Sequence, residues 1–160
     1  SFFKNMLYFC FSLLNENMVE LKISEGVKGA RPNISLPDPK ILTFLKEEGV
    51  RQLVSDHYDR IKTSSIQHLF PTEPVIFEAA KKNSADFFVQ ILGGVRSYQE
   101  NRGAPMLVRR HQPFSITAEG RKVWLGVYQE LLPTLNMPED LLISFWNYLD
   151  QFSIWMINSD

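Results

Sequence analysis

The sequence has little cysteine and almost no net charge. Cys10 is the one cysteine among 160 residues, which excludes an internal disulfide framework and a zinc site built from several cysteines. Lys and Arg number 17 and Asp and Glu 18, so the formal charge is -1 and gives no overall field to attract nucleic acid or an anionic membrane. A single cysteine favours a reducing compartment, and we expect a cytoplasmic protein that binds no nucleic acid.

Long apolar runs are also lacking. The apolar start over residues 1–14 is interrupted by Lys4, and its unbroken part falls short of the roughly 20 residues that a membrane-spanning helix needs. Residues 15–18 supply no small-residue cleavage site of a signal peptide. Residues 26–39 hold two glycines and three prolines, which oppose regular structure. We therefore predict an N-terminal extension over residues 1–37, made of the apolar segment and this linker, followed by one domain over residues 38–160.

Most motifs that identify an enzyme class are missing. The sequence has no Gly-x-Gly-x-x-Gly, no Walker loop, no Gly-x-Ser-x-Gly and no His-Glu-x-x-His. Its three histidines, His57, His68 and His111, are not spaced as zinc ligands. A haem iron, by contrast, needs only one protein ligand because the porphyrin supplies four nitrogens. From the residues alone, His111 is read more simply as an ordinary loop histidine, and no catalytic residue is assigned.

What the sequence does contain is aromatic residues and helical periodicity. Hydrophobic residues make up 44% and aromatic residues 12%, enough for a sizeable core. No run alternates with period two, so we predict an all-α fold. Breaks are predicted at Gly49, at Pro71 and Pro74, and at Gly93–Gly94. The predicted helices cover residues 38–48, 50–61, 80–91, 117–133 and 138–156, with residues 95–114 irregular or forming a single turn around His111.

One run of short motifs is far more specific than these patterns. It contains Phe87-Phe88, Ile91-Leu92-Gly93-Gly94, Tyr98, Arg102-Gly103, Pro105-Met106-Leu107, Arg110-His111, Pro113-Phe114, Ile116, Arg121 and Trp124-Leu125. In this order and spacing the sequence resembles the second group of truncated haemoglobins, and the resemblance covers roughly residues 38–160. It implies a two-over-two globin helical sandwich, here with an N-terminal extension.

The resemblance also implies roles for individual residues around a haem b, iron protoporphyrin IX. His111 corresponds to the proximal iron ligand, and Arg110 beside it suits the anionic propionates. Tyr58 and Trp124 correspond to hydrogen-bond donors of the distal pocket. The remaining residues that we expect to contact the haem are Phe70, Phe87, Ala80 and Ser84; at the last two, family members more often carry a bulkier apolar or amide residue.

The implied function is the binding of dioxygen or another diatomic ligand at a haem iron with a proximal histidine. Transport, storage, sensing, and nitric oxide or peroxide redox chemistry all stay open, as do a reductase partner and a monomeric or homodimeric state. The alternative from another class is a haem-free, globin-like helical domain that acts in interaction or regulation.

Overall fold

The structure is a computed structural model that describes residues 19–160, which form helices joined by irregular segments and contain no strand. This confirms the all-α prediction. The apolar segment and Cys10 lie outside the described residues. The α-helices are α1 (Lys40–Ile61), α2 (Pro74–Ile91), α3 (Ser97–Arg102), α4 (Leu107–His111), α5 (Ala118–Leu131) and α6 (Glu139–Ile154), with 3-10 helices at Gln67–Leu69 and Leu132–Leu135.

The long helices pack as two pairs. Helix α1 packs along α2, α5 packs against α6, and α1 also contacts α5 and α6. This is the two-over-two arrangement that the sequence predicts. The residues almost fully removed from water come from all four helices and include Ile41, Leu53, Val54, Ala85, Val89, Leu125, Tyr128, Phe145 and Leu149.

The predicted break in the first helical stretch is three residues out of place. Asp38 begins the helix as expected, because its carboxylate accepts a hydrogen bond from the Lys40 N–H at 2.9 Å. The interruption lies at Lys46, with φ 61° and ψ 169°, and not at Gly49. A Cβ on Gly49 would lie 3.2 Å from the Leu45 Cβ, so this glycine permits a close approach at the kink and does not end a helix.

The predicted break after Phe70 is confirmed, since residues 71–73 are irregular, but it is short and ends at Pro74. Pro74 occupies the first turn of α2, and the Glu73 carboxylate caps this turn by accepting hydrogen bonds from the N–H groups of Val75 and Ile76. The helix therefore starts six residues before Ala80, the first residue of the predicted apolar face. At its other end the prediction is confirmed, since Gly93 has φ 90° directly after the helix.

Residues 95–114 are more ordered than predicted, because they contain both α3 and α4. The two following helices agree with the sequence. The Thr117 hydroxyl accepts a hydrogen bond from the Gly120 N–H at 3.0 Å, which caps α5, and Pro138 directly precedes α6.

Residues 19–37, here called the strap, form no helix or strand but pack on the helical body. Leu21 is buried in the core, and the Trp146 and Trp155 indole N–H groups donate to strap carbonyls, those of Lys22 and Pro32. The division into an extension over residues 1–37 and a domain over residues 38–160 stays a prediction. No helix within the described residues is long and apolar enough to cross a membrane.

Candidate functional site

A cavity of about 350 Å³ lies inside the helical body. This size is within the range of small-molecule and cofactor pockets. All eight residues predicted to contact the cofactor line it, although they come from four helices and one loop: Tyr58, Phe70, Ala80, Ser84, Phe87, Arg110, His111 and Trp124. The fold therefore brings together residues up to 66 positions apart in the sequence.

His111 is the last residue of α4 and is partly buried. Its Nδ1 lies 2.6 Å from the Leu107 carbonyl oxygen. A carbonyl can only accept, so Nδ1 carries the proton and Nε2 keeps a lone pair. Burial lowers the pKa of His111 below its usual value, while the hydrogen bond to Leu107 opposes that fall. The imidazole is thus neutral at pH 7, with one nitrogen able to bind a metal.

The charges around the cavity are of one sign. Among the described residues that line it, three are arginines and none is Asp or Glu. The Arg121 guanidinium is paired with Asp150 at 2.7 Å. The guanidinium groups of Arg102 and Arg110 are instead cation-π partners of Tyr98, 6.0 and 5.8 Å from its ring centroid. These two arginines leave the lining with a positive charge that favours an anionic group.

Arg110 also fixes the backbone around it. Its Nε donates to the Pro105 carbonyl and its Nη2 to the Arg102 carbonyl, both at 2.8 Å. The guanidinium therefore holds residues 102–105 against α4, and only part of its donor capacity is used.

Aromatic rings build the other part of the lining, where Tyr58, Phe70 and Trp124 face the cavity. The rings of His57, Phe77 and Tyr128 do not line it but contact Tyr58 or Trp124. We call six rings the distal cluster, because each contacts another member edge-on or stacked: His57, Tyr58, Phe70, Phe77, Trp124 and Tyr128. Burial raises the pKa of Tyr58, and a hydrogen bond with Ser84 opposes the rise. The Tyr58 hydroxyl is therefore protonated at neutral pH and remains a donor.

His57 is a member of this cluster that sequence reasoning missed. It is fully buried, its ring stacks on Tyr128 with 3.8 Å between centroids, and its Nε2 lies 3.0 Å from the Trp124 carbonyl oxygen. Nε2 must donate to that carbonyl, and the buried Nδ1 has no hydrogen-bond partner. Burial lowers the pKa of His57 to about 3. The sequence signal for its burial is that position 57 falls on the apolar face of the helix, at helical spacing from Leu53 and Ile61.

Other lining residues belong to the motif run or to the last predicted helix but were not predicted to contact a ligand. They include Tyr98, Arg102, Leu107, Ile116, Phe152 and Met156. The last two come from the end of α6 and the turn after it, where an apolar helix face cannot be told from ordinary core by periodicity alone.

The lining fits a haem. It combines a neutral imidazole with a free Nε2, aromatic rings that exclude water, and arginines suited to carboxylates. The site needs no second protein ligand for the metal, because the macrocycle supplies four nitrogens.

Comparisons with known proteins agree with the conclusion that the cavity suits a haem. A model of the bacterial-like globin family matches residues 45–158. The group 2 truncated hemoglobin YjbI of Bacillus subtilis (strain 168) is 31% identical over 113 residues, which cover 70% of this chain and 83% of that protein.

Two crystal structures resemble the fold closely. The phosphate-bound Hell's gate globin IV has a TM-score of 0.75 and 34% identity, covering 82% of this chain and 86% of that one. The truncated oxygen-avid haemoglobin of Bacillus subtilis has a TM-score of 0.67 and 27% identity, covering 76% and 99%. The chain therefore belongs to the bacterial-like globins and, within them, to the group II truncated haemoglobins, a family of haem-based ligand-binding proteins.

Proposed function

We propose that this chain holds haem b through Nε2 of His111 and binds dioxygen or another diatomic gas beside the distal cluster. The observation that carries the proposal is the hydrogen bond from His111 Nδ1 to the Leu107 carbonyl, because it leaves Nε2 unprotonated in a cavity lined by aromatic rings. A haem supplies an iron with four porphyrin nitrogens and two faces for further ligands.

The arginines provide the charge that a haem requires. Haem carries two propionates, and a planar guanidinium binds a carboxylate through two parallel hydrogen bonds. Arg121 is already paired with Asp150, so Arg102 and Arg110 are the lining residues that we assign to the propionates.

The distal cluster provides donors for a gas ligand. The Tyr58 hydroxyl and the Trp124 indole N–H belong to residues that line the cavity, and Ser84 contacts the Tyr58 hydroxyl. A hydrogen bond to a partly charged ligand is stronger in a dry pocket than in water. A ligand with negative charge on its outer atom is thereby favoured, which suits dioxygen. One relative in this fold is described as oxygen-avid, and this supports the same ligand here.

The direct test is a haem titration of the purified full chain. We expect one equivalent of haem to give a sharp Soret absorption band, and the reduced protein to change its spectrum on exposure to dioxygen and to carbon monoxide. A chain that takes up no haem would instead favour the alternative of a haem-free, globin-like interaction or regulatory domain.

Several finer expectations stay predictions. They are nitric oxide or peroxide redox chemistry, a reductase partner, a cytoplasmic location, and a monomeric or homodimeric state. Nitrate formation from nitric oxide by the oxygenated protein would support the first of these, and it requires kinetic measurements.

A further inference from the structure

Helix α4, which carries His111, cannot fix its own orientation. It has five residues, and a helix this short is not stable in isolation. The residue before it, Met106, is exposed and has a left-handed backbone with φ 44°, so the chain entering α4 gives it little support. Contacts with residues outside α4 must therefore set the direction of this helix. At its start these come from Arg110, which holds the carbonyls of Arg102 and Pro105.

At the end of α4 the contacts come from the C-terminal tail. The Asn158 Nδ2 donates to the carbonyl of His111 itself at 3.2 Å and to the Phe114 carbonyl at 2.9 Å. Its Oδ1 accepts from the Ile116 N–H at 2.9 Å. The backbone N–H groups of Asn158 and Ser159 both donate to the Ile116 carbonyl, at 3.0 and 3.1 Å.

We infer that Asn158 is a positioning residue for the proximal histidine, an inference that rests on the proposed function. The last carbonyls of a helix have no partner within it, and that of His111 accepts two hydrogen bonds from outside, from the Phe114 N–H at 3.0 Å and from the Asn158 amide. By holding this carbonyl, the Asn158 amide fixes the direction in which the His111 side chain leaves the backbone. Asn158 also bonds Phe114 and Ile116. It therefore connects the segment between α4 and α5 with the chain that follows α6.

The chemistry of the amide explains why asparagine occupies this position. Two donors and one acceptor are needed at once: the donors for the His111 and Phe114 carbonyls, and the acceptor for the Ile116 N–H. An aspartate keeps the acceptor but, when ionised, has no donor. Asn158→Asp therefore removes the donated hydrogen bonds to the His111 and Phe114 carbonyls while keeping the size of the side chain and the contact with Ile116.

The test uses the haem-loaded full chain and measures the iron–imidazole stretching band of the ferrous, ligand-free protein by resonance Raman spectroscopy. In Asn158→Asp we expect this band to shift and broaden, and haem to dissociate up to roughly tenfold faster. The control is Ser159→Ala, which removes the tail hydroxyl that bonds Ser115 and Asn158 but has no contact with His111. Its band should match that of the unchanged protein.

A second background separates positioning from a general loss of structure. In His111→Gly supplied with free imidazole, the iron ligand is no longer attached to the backbone, so adding Asn158→Asp should leave the iron–imidazole band unmoved. If the Asp variant cannot be produced, the same measurements are made on Asn158→Ser, which removes the amide that donates to both carbonyls.

Each result decides the question. A shift in the His111 background together with none in the imidazole-supplied background supports the inference. No shift in the His111 background would overturn it and leave the proposed function intact, and equal shifts in both backgrounds would overturn it as a general effect on the cavity. If the unchanged protein gave no iron–imidazole band, the proposed function and this inference would both fall.

Discussion

The two parts of the cavity lining are held by different forces. Five of the six rings of the distal cluster sit on long helices, where His57 stacks on Tyr128 and contacts Trp124 edge-on. The proximal segment, residues 97–116, consists of two short helices and irregular chain. Side chains that bond to backbone carbonyls hold it in place: Arg110 on Arg102 and Pro105, His111 on Leu107, and Asn158 on His111 and Phe114.

This difference separates two properties of the protein. Aromatic packing keeps its ring contacts when a hydroxyl is lost, so removing a distal donor such as the Tyr58 hydroxyl should alter ligand kinetics and leave the fold intact. The proximal segment packs Tyr98 in the core and Leu107, Val108 and Ile116 against it, but polar side chains hold its backbone carbonyls. Changes to these polar supports should therefore alter stability and cofactor retention. The following experiments test that separation and the contacts of α5, α6 and the strap around it, beginning with the largest effect.

The largest effect is expected from the ion pair between Arg121 of α5 and Asp150 of α6. Asp150 bonds the buried Arg121 guanidinium at 2.7 Å, and both residues are almost fully removed from water. Asp150→Ala leaves an unpaired buried charge, which should lower the free energy of unfolding by about 3 to 5 kcal/mol. Chemical denaturation measures this. Ser24→Ala, which removes one strap hydroxyl from the Asp150 carboxylate, should cost only about 1 kcal/mol. Equal losses in the two variants would contradict the assignment.

The next effect concerns the distal donor. Tyr58→Phe keeps the ring but deletes the hydroxyl, so a bound dioxygen loses a charge-assisted hydrogen bond of about 1.5 to 3 kcal/mol. Dissociation measured by stopped flow should become roughly 10- to 100-fold faster, with haem retention unchanged. The matched control is Tyr98→Phe in the proximal segment, which should not change this rate. Unaltered dissociation in Tyr58→Phe, and also after Trp124→Phe is added, would exclude both donors.

A pH dependence should follow from His57. Its pKa is about 3 in the folded protein and 6.5 without burial, so the unfolded chain binds one more proton between these values. The neutral His57 therefore contributes fully to the free energy of unfolding above pH 6.5. This contribution decreases by about 1.4 kcal/mol per pH unit as the pH falls towards 3. His57→Phe keeps the stacking on Tyr128 and removes this contribution. Unfolding curves at several pH values should diverge between the two proteins, and parallel curves would argue against a neutral buried imidazole.

The smallest effect is expected at the far end of the strap. The Trp155 indole N–H donates to the Pro32 carbonyl at 2.8 Å, and the Arg31 guanidinium lies 5.1 Å above its ring. Trp155→Phe should cost about 1 kcal/mol of stability and leave ligand binding unchanged, because neither Trp155 nor Pro32 lines the cavity. A lower haem content in Trp155→Phe would contradict this expectation and show that the strap contacts of Trp155 support the cavity.

Most of the candidate site could be predicted from the sequence, because its residues belong to one specific run of motifs. The helix class and the ends at Gly93, Thr117 and Pro138 followed from periodicity and capping. The kink at Lys46 could not be found, since no side-chain signal distinguishes it from the nearby Gly49. Pro74 was misread because a proline that ends one segment equally well begins the next helix.

The role of the strap was the least predictable part. Residues 19–37 show no period and many helix-breaking residues, so the sequence gives no sign that they pack on the body. All predicted haem contacts lie after residue 37, which implies that deleting residues 1–37 leaves the site intact. The contacts of Leu21 in the core and of the Ser24 carbonyl with Arg121 instead predict a less stable protein after this deletion.

The central claim is that His111 carries the haem, and the haem-to-protein ratio of His111→Ala tests it most directly. The variant is expressed with excess haem beside the unchanged chain and His68→Ala, which alters an exposed histidine. We predict that His111→Ala loses most of its haem and that His68→Ala keeps a full complement with the spectrum of the unchanged protein. An unaltered ratio and a normal ferrous spectrum in His111→Ala would place the iron ligand elsewhere and contradict the account.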